Sequence, residues 1–331
     1  MNATTMKWLL RREFWEYKGS MLWAPLAVAA VLVLLIGGAL VYGLADHHIP
    51  SRITINGHTV EQGGYAVKMS AETASRIAQM ASSMYLGLSL PLFGLLTAVV
   101  FSYCLGTLHD ERRDRSILFW KSLPVSDEMT VLSKVATALL VAPLITIALA
   151  TLVSLILLFV GCVGLAVNGT DLFGALLSSP DLYLSPLRVL ALLPVYIVWA
   201  LPTVGWLLLV SSWARAKPIM WAVGAPLVGL LVVKWVSLAM ENLSGSPLNL
   251  THHAQDLVAR ILTGIVPGIW FTYDGHGLPR DLAPGGGGID LGGLVAHSYA
   301  SLAGADAWIG ALLGAAMLYG AIRLRRYRDE G

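Results

Sequence analysis

A charged stretch between two long apolar runs decides the fold of this chain, and it reads His109-Asp110-Glu111-Arg112-Arg113-Asp114-Arg115-Ser116-Ile117-Leu118-Phe119-Trp120-Lys121-Ser122-Leu123-Pro124-Val125-Ser126-Asp127-Glu128. The apolar runs on its two sides, 84–108 and 135–165, carry no charged residue. Charged side chains are costly in hydrocarbon, so the stretch must lie at one face of a membrane. The apolar cluster 117–120 directly follows the charges, which favours a short helix along the membrane surface over a solvated loop.

The composition of the whole chain supports a membrane location. Of its 331 residues, 56% are hydrophobic and only 13% are charged. Soluble domains average about 25% charged residues, so the composition indicates an integral membrane protein. The net charge of +2 gives no sign of nucleic-acid binding. Both cysteines, Cys104 and Cys162, fall inside apolar runs, which excludes a disulfide framework or a zinc site built from cysteine.

Six segments are apolar and long enough to cross a bilayer, which takes about 20 residues each. They are 22–45, 84–108, 133–165, 187–212, 218–240 and 304–322. Prolines within the fourth and fifth segments predict helix kinks inside a packed bundle. The sequence therefore predicts an all-α polytopic membrane protein, with one domain over residues 1–331. We expect the first span to serve as an uncleaved signal anchor, because no cleavable leader pattern precedes it.

The first 21 residues predict a helix that lies in the membrane interface. Leu10, Phe14, Tyr17 and Met21 recur at spacings of three and four, which makes one apolar stripe. Aromatic and basic side chains accompany this stripe, as is typical of interfacial anchoring. The candidate anchoring residues are Trp8, Arg11, Arg12, Phe14 and Trp15. The alternative is a basic tail that only fixes the orientation of the chain.

Lysine and arginine residues in the connections predict the orientation. Four lie in residues 1–21, four in the charged stretch and four in the C-terminal tail 323–331. The long connections 46–83 and 241–303 have three and two. Because positive residues favour the cytoplasmic side, we expect both termini and the charged stretch to be cytoplasmic and the two long loops extracytoplasmic.

Each long loop contains a recognisable pattern. Two short β-prone runs flank Asn56-Gly57 in the first loop, which predicts a small hairpin. The second loop contains an amphipathic helix pattern over 251–262, followed by apolar pieces that are too short for confident spans. Re-entrant or surface helices suit these pieces better.

The sequence contains no motif for catalysis or metal binding. It has no Gly-x-x-x-x-Gly-Lys-Ser/Thr phosphate loop and no Gly-x-Ser-x-Gly nucleophile elbow. The pairs His47-His48 and His252-His253 lack a metal-ligand spacing and are interpreted as surface polar residues. Lys234 is the exceptional charge inside a span, and it either snorkels toward the headgroups or faces a transport path at an outer gate. We expect no catalytic residue, no metal and no cofactor bound by this chain.

Residues 110–126, together with Lys134, resemble the permease subunits of type-2 ABC exporters, the ABC-2 family. The features that carry the resemblance are an acidic-basic pair, a Leu-Pro-Val-Ser step at 123–126 and a later lysine, all between spans 2 and 3. Arg115 stands where many members have glycine. Six spans, an interfacial N-terminal helix, internal termini and a long segment before span 6 are similar to the family architecture.

This resemblance implies a cytoplasmic coupling helix within 109–130 that docks into a separate ABC ATPase subunit. The implied coupling residues are Asp110, Glu111, Arg112, Arg113, Asp114, Arg115, Leu118, Trp120, Ser122, Leu123 and Pro124. ATP and Mg²⁺ would bind to that subunit, so this chain would not be the enzyme. A second permease copy, or a homologous permease, would complete the path, with contacts through spans 1 and 5.

The family further implies a bacterial inner-membrane exporter that is surrounded by membrane lipid. Two other classes of function remain open. One is a membrane anchor or sensor without transport activity, whose outer loops bind a partner. The other is an intramembrane enzyme that would use His252, His253 and Lys234.

Overall fold

The computed structural model describes residues 3–45, 52–55, 58–61, 85–114, 125–167, 173–244, 250–273 and 290–327. The His47-His48 pair and the part of the predicted coupling helix over 115–124 lie outside these residues. Long helices dominate the described part of the chain. The one sheet in this part has two antiparallel strands, β1 (Arg52–Ile55) and β2 (His58–Glu61), paired with Arg52 opposite Glu61. They lie where the sequence predicts the hairpin.

The helices follow the order of the apolar segments. Before the charged stretch lie α1 (Ala3–Glu16), a π-helical turn (Gly19–Trp23), α2 (Ala24–Ala45) and α3 (Tyr85–Arg113). After it lie α4 (Asp127–Ala136), a second π-helical turn (Thr137–Val141), α5 (Ala142–Val167), α6 (Phe173–Ser178), α7 (Pro180–Ala191) and α8 (Leu193–Trp213). The last group is α9 (Pro218–Ser244), α10 (Leu250–Thr263), α11 (Trp270–Tyr273), α12 (Leu291–Ala300), a 3₁₀ turn (Ser301–Ala303) and α13 (Ala305–Tyr327).

Six helical segments in the described part are long and apolar enough to cross a membrane. They are span 1 (Gly19–Gly43), span 2 (Gly87–Arg113), span 3 (Asp127–Val167), span 4 (Leu182–Trp213), span 5 (Pro218–Met240) and span 6 (Ala305–Tyr327). Each matches one of the predicted segments in order. The architecture is therefore that of a multi-pass helical membrane protein, as the sequence predicts.

The ends of spans 2 and 3 differ from the prediction because the charged stretch is partly helical. Span 2 continues without a break through Asp110 to Arg113. Span 3 begins at Asp127, since the Ser126 side chain accepts a hydrogen bond from the Met129 backbone N–H and caps the helix. Asp127 and Glu128 then lie in the first turn, where the helix dipole favours negative charge.

Span 4 is built from two helices. It breaks at Leu192, and Pro194 lies in the first turn of α8, where proline needs no backbone N–H partner. Pro194 thus lies at a helix start rather than at a kink within one helix. Pro202 is inside α8 and Pro226 is inside α9.

One end of the bundle gathers both terminal helices, and we name this end the base. Five elements contact one another there: helix α1, the last turns of spans 2, 4 and 6, and the first turns of span 3. The described residues contain an even number of candidate spans, six, which is consistent with the first and last helices meeting at one end of the bundle.

Spans 4 and 6 are held together by direct backbone contact. A Cβ atom on Gly205 would lie 2.5 Å from the Gly314 carbonyl oxygen, and one on Gly314 would lie 2.6 Å from the Leu201 backbone. Small residues allow such close approach of helices that cross a membrane. These two glycines therefore set the position of span 6 against span 4.

Away from the base, the segment from α10 to α11 lies beside spans 4 and 6. Thr203 donates a hydrogen bond to the Arg260 carbonyl oxygen, and the Arg260 guanidinium lies 4.4 Å from the centre of the Trp199 ring. The same guanidinium donates to the carbonyl oxygens of Asp306 and Ala307 at the start of span 6. Burial lowers the pKa of this guanidinium from its ordinary value. These contacts fix α10 to span 4 and to the start of span 6.

Candidate functional site

The most distinctive polar site of the described protein is a buried ionic cluster at the base. We define the basal cluster as six charged residues with two hydroxyl partners: Arg12, Glu13, Tyr103, Thr107, Glu111, Asp127, Lys134 and Arg325. Three of its members are formally positive and three are negative. Its residues come from α1 and from spans 2, 3 and 6.

Glu111 is the centre of this cluster. One carboxylate oxygen, Oε1, lies 2.9 Å from Arg12 Nη2 and 2.9 Å from Lys134 Nζ. The other, Oε2, lies 2.6 Å from Arg325 Nη1. The side chain of Glu111 is only 3% exposed. One buried carboxylate therefore joins three cations from three separate elements.

Lys134 makes the second junction. Its Nζ lies 2.9 Å from Glu13 Oε1 and 2.7 Å from Thr107 Oγ1, in addition to its contact with Glu111. An ammonium group has three donors, so these three acceptors satisfy it completely. Lys134 is 1% exposed and Glu13 is fully buried. Burial of these charges is tolerable because each has partners of opposite sign and full hydrogen bonding.

Two further contacts extend the cluster. The Tyr103 hydroxyl donates to Glu13 Oε2 at 2.8 Å, and Arg325 Nε lies 3.0 Å from Asp127 Oδ1. The ring of Tyr17 packs edge-on against that of Tyr103, with 4.8 Å between centres. Burial raises the pKa of the Tyr17 hydroxyl above its ordinary value, so this side chain stays neutral beside the cluster.

Arg112 fixes span 2 to the end of span 4 by a separate set of contacts. Its Nη2 donates to the carbonyl oxygens of Ser211 and Ala214 at 2.5 and 3.0 Å. The Ser211 hydroxyl in turn accepts from the backbone N–H groups of Leu108 and His109. The end of span 2 is therefore bound on one side to the basal cluster and on another to span 4.

The charged side chains that we expected to face a partner differ in exposure. Glu111 is buried and Arg112 is half-buried, and both make contacts within the chain, while their role in coupling stays a prediction. Arg113 and Asp114 are exposed, and Asp110 is half-buried. The remaining candidate coupling residues, Arg115, Leu118, Trp120, Ser122, Leu123 and Pro124, lie outside the described residues.

The N-terminal helix is present as expected, but a different face is buried. Leu9 and Glu13 are its most buried residues, whereas Leu10, Phe14 and Tyr17 of the predicted stripe are half-buried. Met21, the fourth residue of that stripe, lies in the following π-helical turn and is buried. Trp8, Arg11 and Trp15 are exposed, with basic groups stacked on both tryptophan rings. The Arg12 guanidinium lies 2.9 Å from the Glu111 carboxylate, while membrane anchoring by these residues stays a prediction. The buried face includes Glu13, whose carboxylate contacts Lys134.

Sequence analysis did not single out Glu13 or Arg325. Both are charged residues at the margin of an apolar pattern, as is Lys134, which occupies the second position of the predicted span 133–165. Glu13 and Arg325 each stand among other charged residues, so no local signal marks them, whereas Lys134 has no charged residue within five positions on either side.

The other candidate site residues are not brought together. Lys234 is exposed on span 5. His252 pairs with Asp256 at 2.9 Å on an exposed helix face, one turn apart. Among the described residues, no group of three or more histidine, cysteine, aspartate or glutamate side chains is placed to hold a metal ion.

The basal cluster suits mechanical linkage better than proton or group transfer. Each of its carboxylates is bound by cationic groups or a hydroxyl donor, so the arrangement stabilises fixed charges and ties helices together.

Comparisons with protein-family models, with curated proteins and with solved structures find no match to this chain.

Proposed function

We propose that the chain is the membrane permease subunit of a type-2 ABC exporter, driven by a separate ATPase subunit. The proposal rests on the resemblance carried by residues 110–126 and on the surroundings of that stretch. The observation that carries it is the position of Glu111 in the last turn of span 2, where its carboxylate binds α1, span 3 and span 6 at once.

This geometry supplies a way to transmit motion. The connection 115–124 joins the end of span 2 to the start of span 3, and both of those helix ends are held in the basal cluster by Glu111, Asp127 and Lys134. A displacement of the connection by a docked ATPase would therefore move α1 and span 6 together with spans 2 and 3. An unlinked surface loop would move alone.

The docking face in this proposal is formed by the outward-facing charges beside the connection. Arg113 and Asp114 are exposed at the end of span 2, and Glu128 is exposed at the start of span 3. Charges of both signs allow salt bridges to a partner surface. The base would then be the cytoplasmic end, in agreement with the distribution of lysine and arginine.

A second permease copy would complete the transport path. Spans 1 and 5 have the lowest buried share among the six spans and carry many exposed apolar side chains. They are the spans that the family resemblance assigns to dimer contacts. Exposed apolar helices also suit lipid, so the dimer is a proposal that cross-linking between spans must test.

Purification of the full chain from its native membrane in a mild detergent tests the proposal directly. We expect an ATPase with a Gly-x-x-x-x-Gly-Lys-Ser/Thr loop to co-purify and to be identified by mass spectrometry. The Arg113→Ala/Asp114→Ala double variant should lose this partner, whereas Arg326→Ala, which removes an exposed charge on span 6, should retain it. An unaltered yield of ATPase with the double variant would contradict the docking face, and repeated absence of any ATPase would contradict the function.

A further inference from the structure

A cavity of about 390 Å³ lies inside the bundle, well away from the basal cluster. Spans 2, 3 and 4 form three of its walls, and the segment that precedes span 6 closes it with residues of α11 and α12. Representative lining residues are Leu90, Phe93, Ile147, Leu193, Tyr196 and Trp270. Tyr196 is 17 residues from the end of span 4 at Trp213, which places the cavity about 25 Å above the base.

The lining is almost entirely apolar. No charged residue contributes to it, and its polar side-chain groups are the Tyr196 hydroxyl and the Trp270 indole N–H. The indole N–H already donates to the Ser298 hydroxyl at 2.9 Å. The Tyr196 hydroxyl is buried and has no hydrogen-bond partner among the described residues. A water molecule needs two to four polar partners, so this lining does not favour water as the occupant.

The position of Leu90 indicates how an apolar occupant would enter. Leu90 lines the cavity, yet it is 57% exposed on the outer surface of span 2. The cavity is therefore open beside Leu90, at an exposed surface of span 2 close to its first residue, Gly87. In a bilayer, that surface is covered by the acyl chains of phospholipids. Acyl chains are thus the apolar molecules present at the mouth at the highest concentration.

The floor of the cavity is shaped rather than loosely packed. Pro267 and Gly268 form a turn in which Gly268 has a φ of +87°, a conformation that favours glycine. Trp270 and Phe271, which follow this turn directly, also line the cavity. The volume of the cavity, about 390 Å³, lies within the range of sites that bind small molecules, about 300 to 1,000 Å³.

We propose that this cavity binds one acyl chain of a membrane phospholipid, which enters past Leu90 while its headgroup remains at the membrane surface. The site is independent of the proposed ATPase coupling, because none of its lining residues belongs to the basal cluster or to the charged stretch. It would give the permease a fixed lipid between spans 2, 3 and 4 and the segment that precedes span 6.

Photo-cross-linking of the full chain in proteoliposomes tests this site. The probe is phosphatidylethanolamine with a diazirine in one acyl chain, and labelled peptides are identified by mass spectrometry. We expect labelling within 90–96, 143–147 and 189–196. Ile147→Trp should abolish this cavity labelling by filling the space. Leu144→Trp, one turn away on an exposed position of the same helix, is the matched control and should leave it unchanged.

Leu193→Phe serves as a second, smaller filling variant, so that a folding failure of Ile147→Trp does not decide the result. The dispersity of each variant in size-exclusion chromatography reports its fold. Labelling confined to the lipid-facing surface, or cavity labelling that neither filling variant reduces, would overturn the proposal. Displacement of the lipid label by a free apolar solute such as n-decanol is expected, since both occupy the same apolar space.

Discussion

At the scale of single residues, the charged stretch has one buried and two exposed charges within the four positions 111–114. Glu111 is buried among three cations, whereas Arg113 and Asp114, two and three residues later, are exposed. A helix turns 100° per residue, so neighbouring charges necessarily face different directions once the stretch is helical. The stretch therefore contributes one side to the fold and leaves the other side available for a partner.

Glu111→Gln should destabilise the protein, because it leaves Arg12, Lys134 and Arg325 without their shared carboxylate. Removing one partner from a buried ion pair costs about 3 to 5 kcal/mol. The free energy or midpoint of unfolding, followed by circular dichroism in detergent, measures the loss. Glu128→Gln is the matched control, since it removes an exposed carboxylate from the same stretch.

The double variant Glu111→Gln/Lys134→Met refines this prediction. It removes one charge of each sign, so we expect it to recover part of the stability that Glu111→Gln loses. Equal unfolding midpoints for wild type and Glu111→Gln would show that the basal cluster contributes nothing to stability.

The sequence could predict these residues as charged and close to a membrane face, but not their partners. Glu13 lies in a basic amphipathic segment, and nothing local distinguishes it from the exposed Glu16. Its partner Lys134 is 121 residues away. Pairing over such a separation depends on how the helices pack, which hydrophobic periodicity alone does not determine.

At the scale of elements, hydropathy was sufficient for the number and order of the spans but not for their ends. Span 2 continues to Arg113 and span 6 to Tyr327, past Glu111 and Arg325, whose opposite charges pair inside the bundle. A prediction from hydropathy places the end of a span at the first charged residue. That assumption fails where charges of opposite sign meet.

Contact between spans 4 and 6 gives a prediction at this scale. Gly314→Val should impair folding, since its side chain would overlap the Leu201 and Pro202 backbone, which cannot move aside as a side chain can. Overpacking of this kind costs about 1 to 3 kcal/mol or more. The same substitution at Gly229 on span 5 is the control, because no atom lies within 4 Å of a Cβ there. Equal losses of unfolding midpoint for the two variants would contradict the packing of spans 4 and 6.

At the scale of the whole molecule, α1 and the ends of spans 2, 3, 4 and 6 contact one another at the base. The terminal helices α1 and α13 both reach it, and Glu111 binds a cation from each of them, Arg12 and Arg325. Composition and the K/R pattern predicted two ends on the same side. The ionic connection between those ends depends on tertiary packing and was beyond the sequence.

The most direct test of the proposed coupling compares ATPase stimulation and stability in the same variants. The full chain is reconstituted with its co-purified ATPase, and both the ATP hydrolysis rate and the unfolding midpoint are measured. Arg113→Ala/Asp114→Ala should lose the stimulation of ATP hydrolysis with an unchanged midpoint, while Arg326→Ala keeps both. Undiminished stimulation in the double variant would contradict the account that the outward-facing side of the charged stretch docks the ATPase.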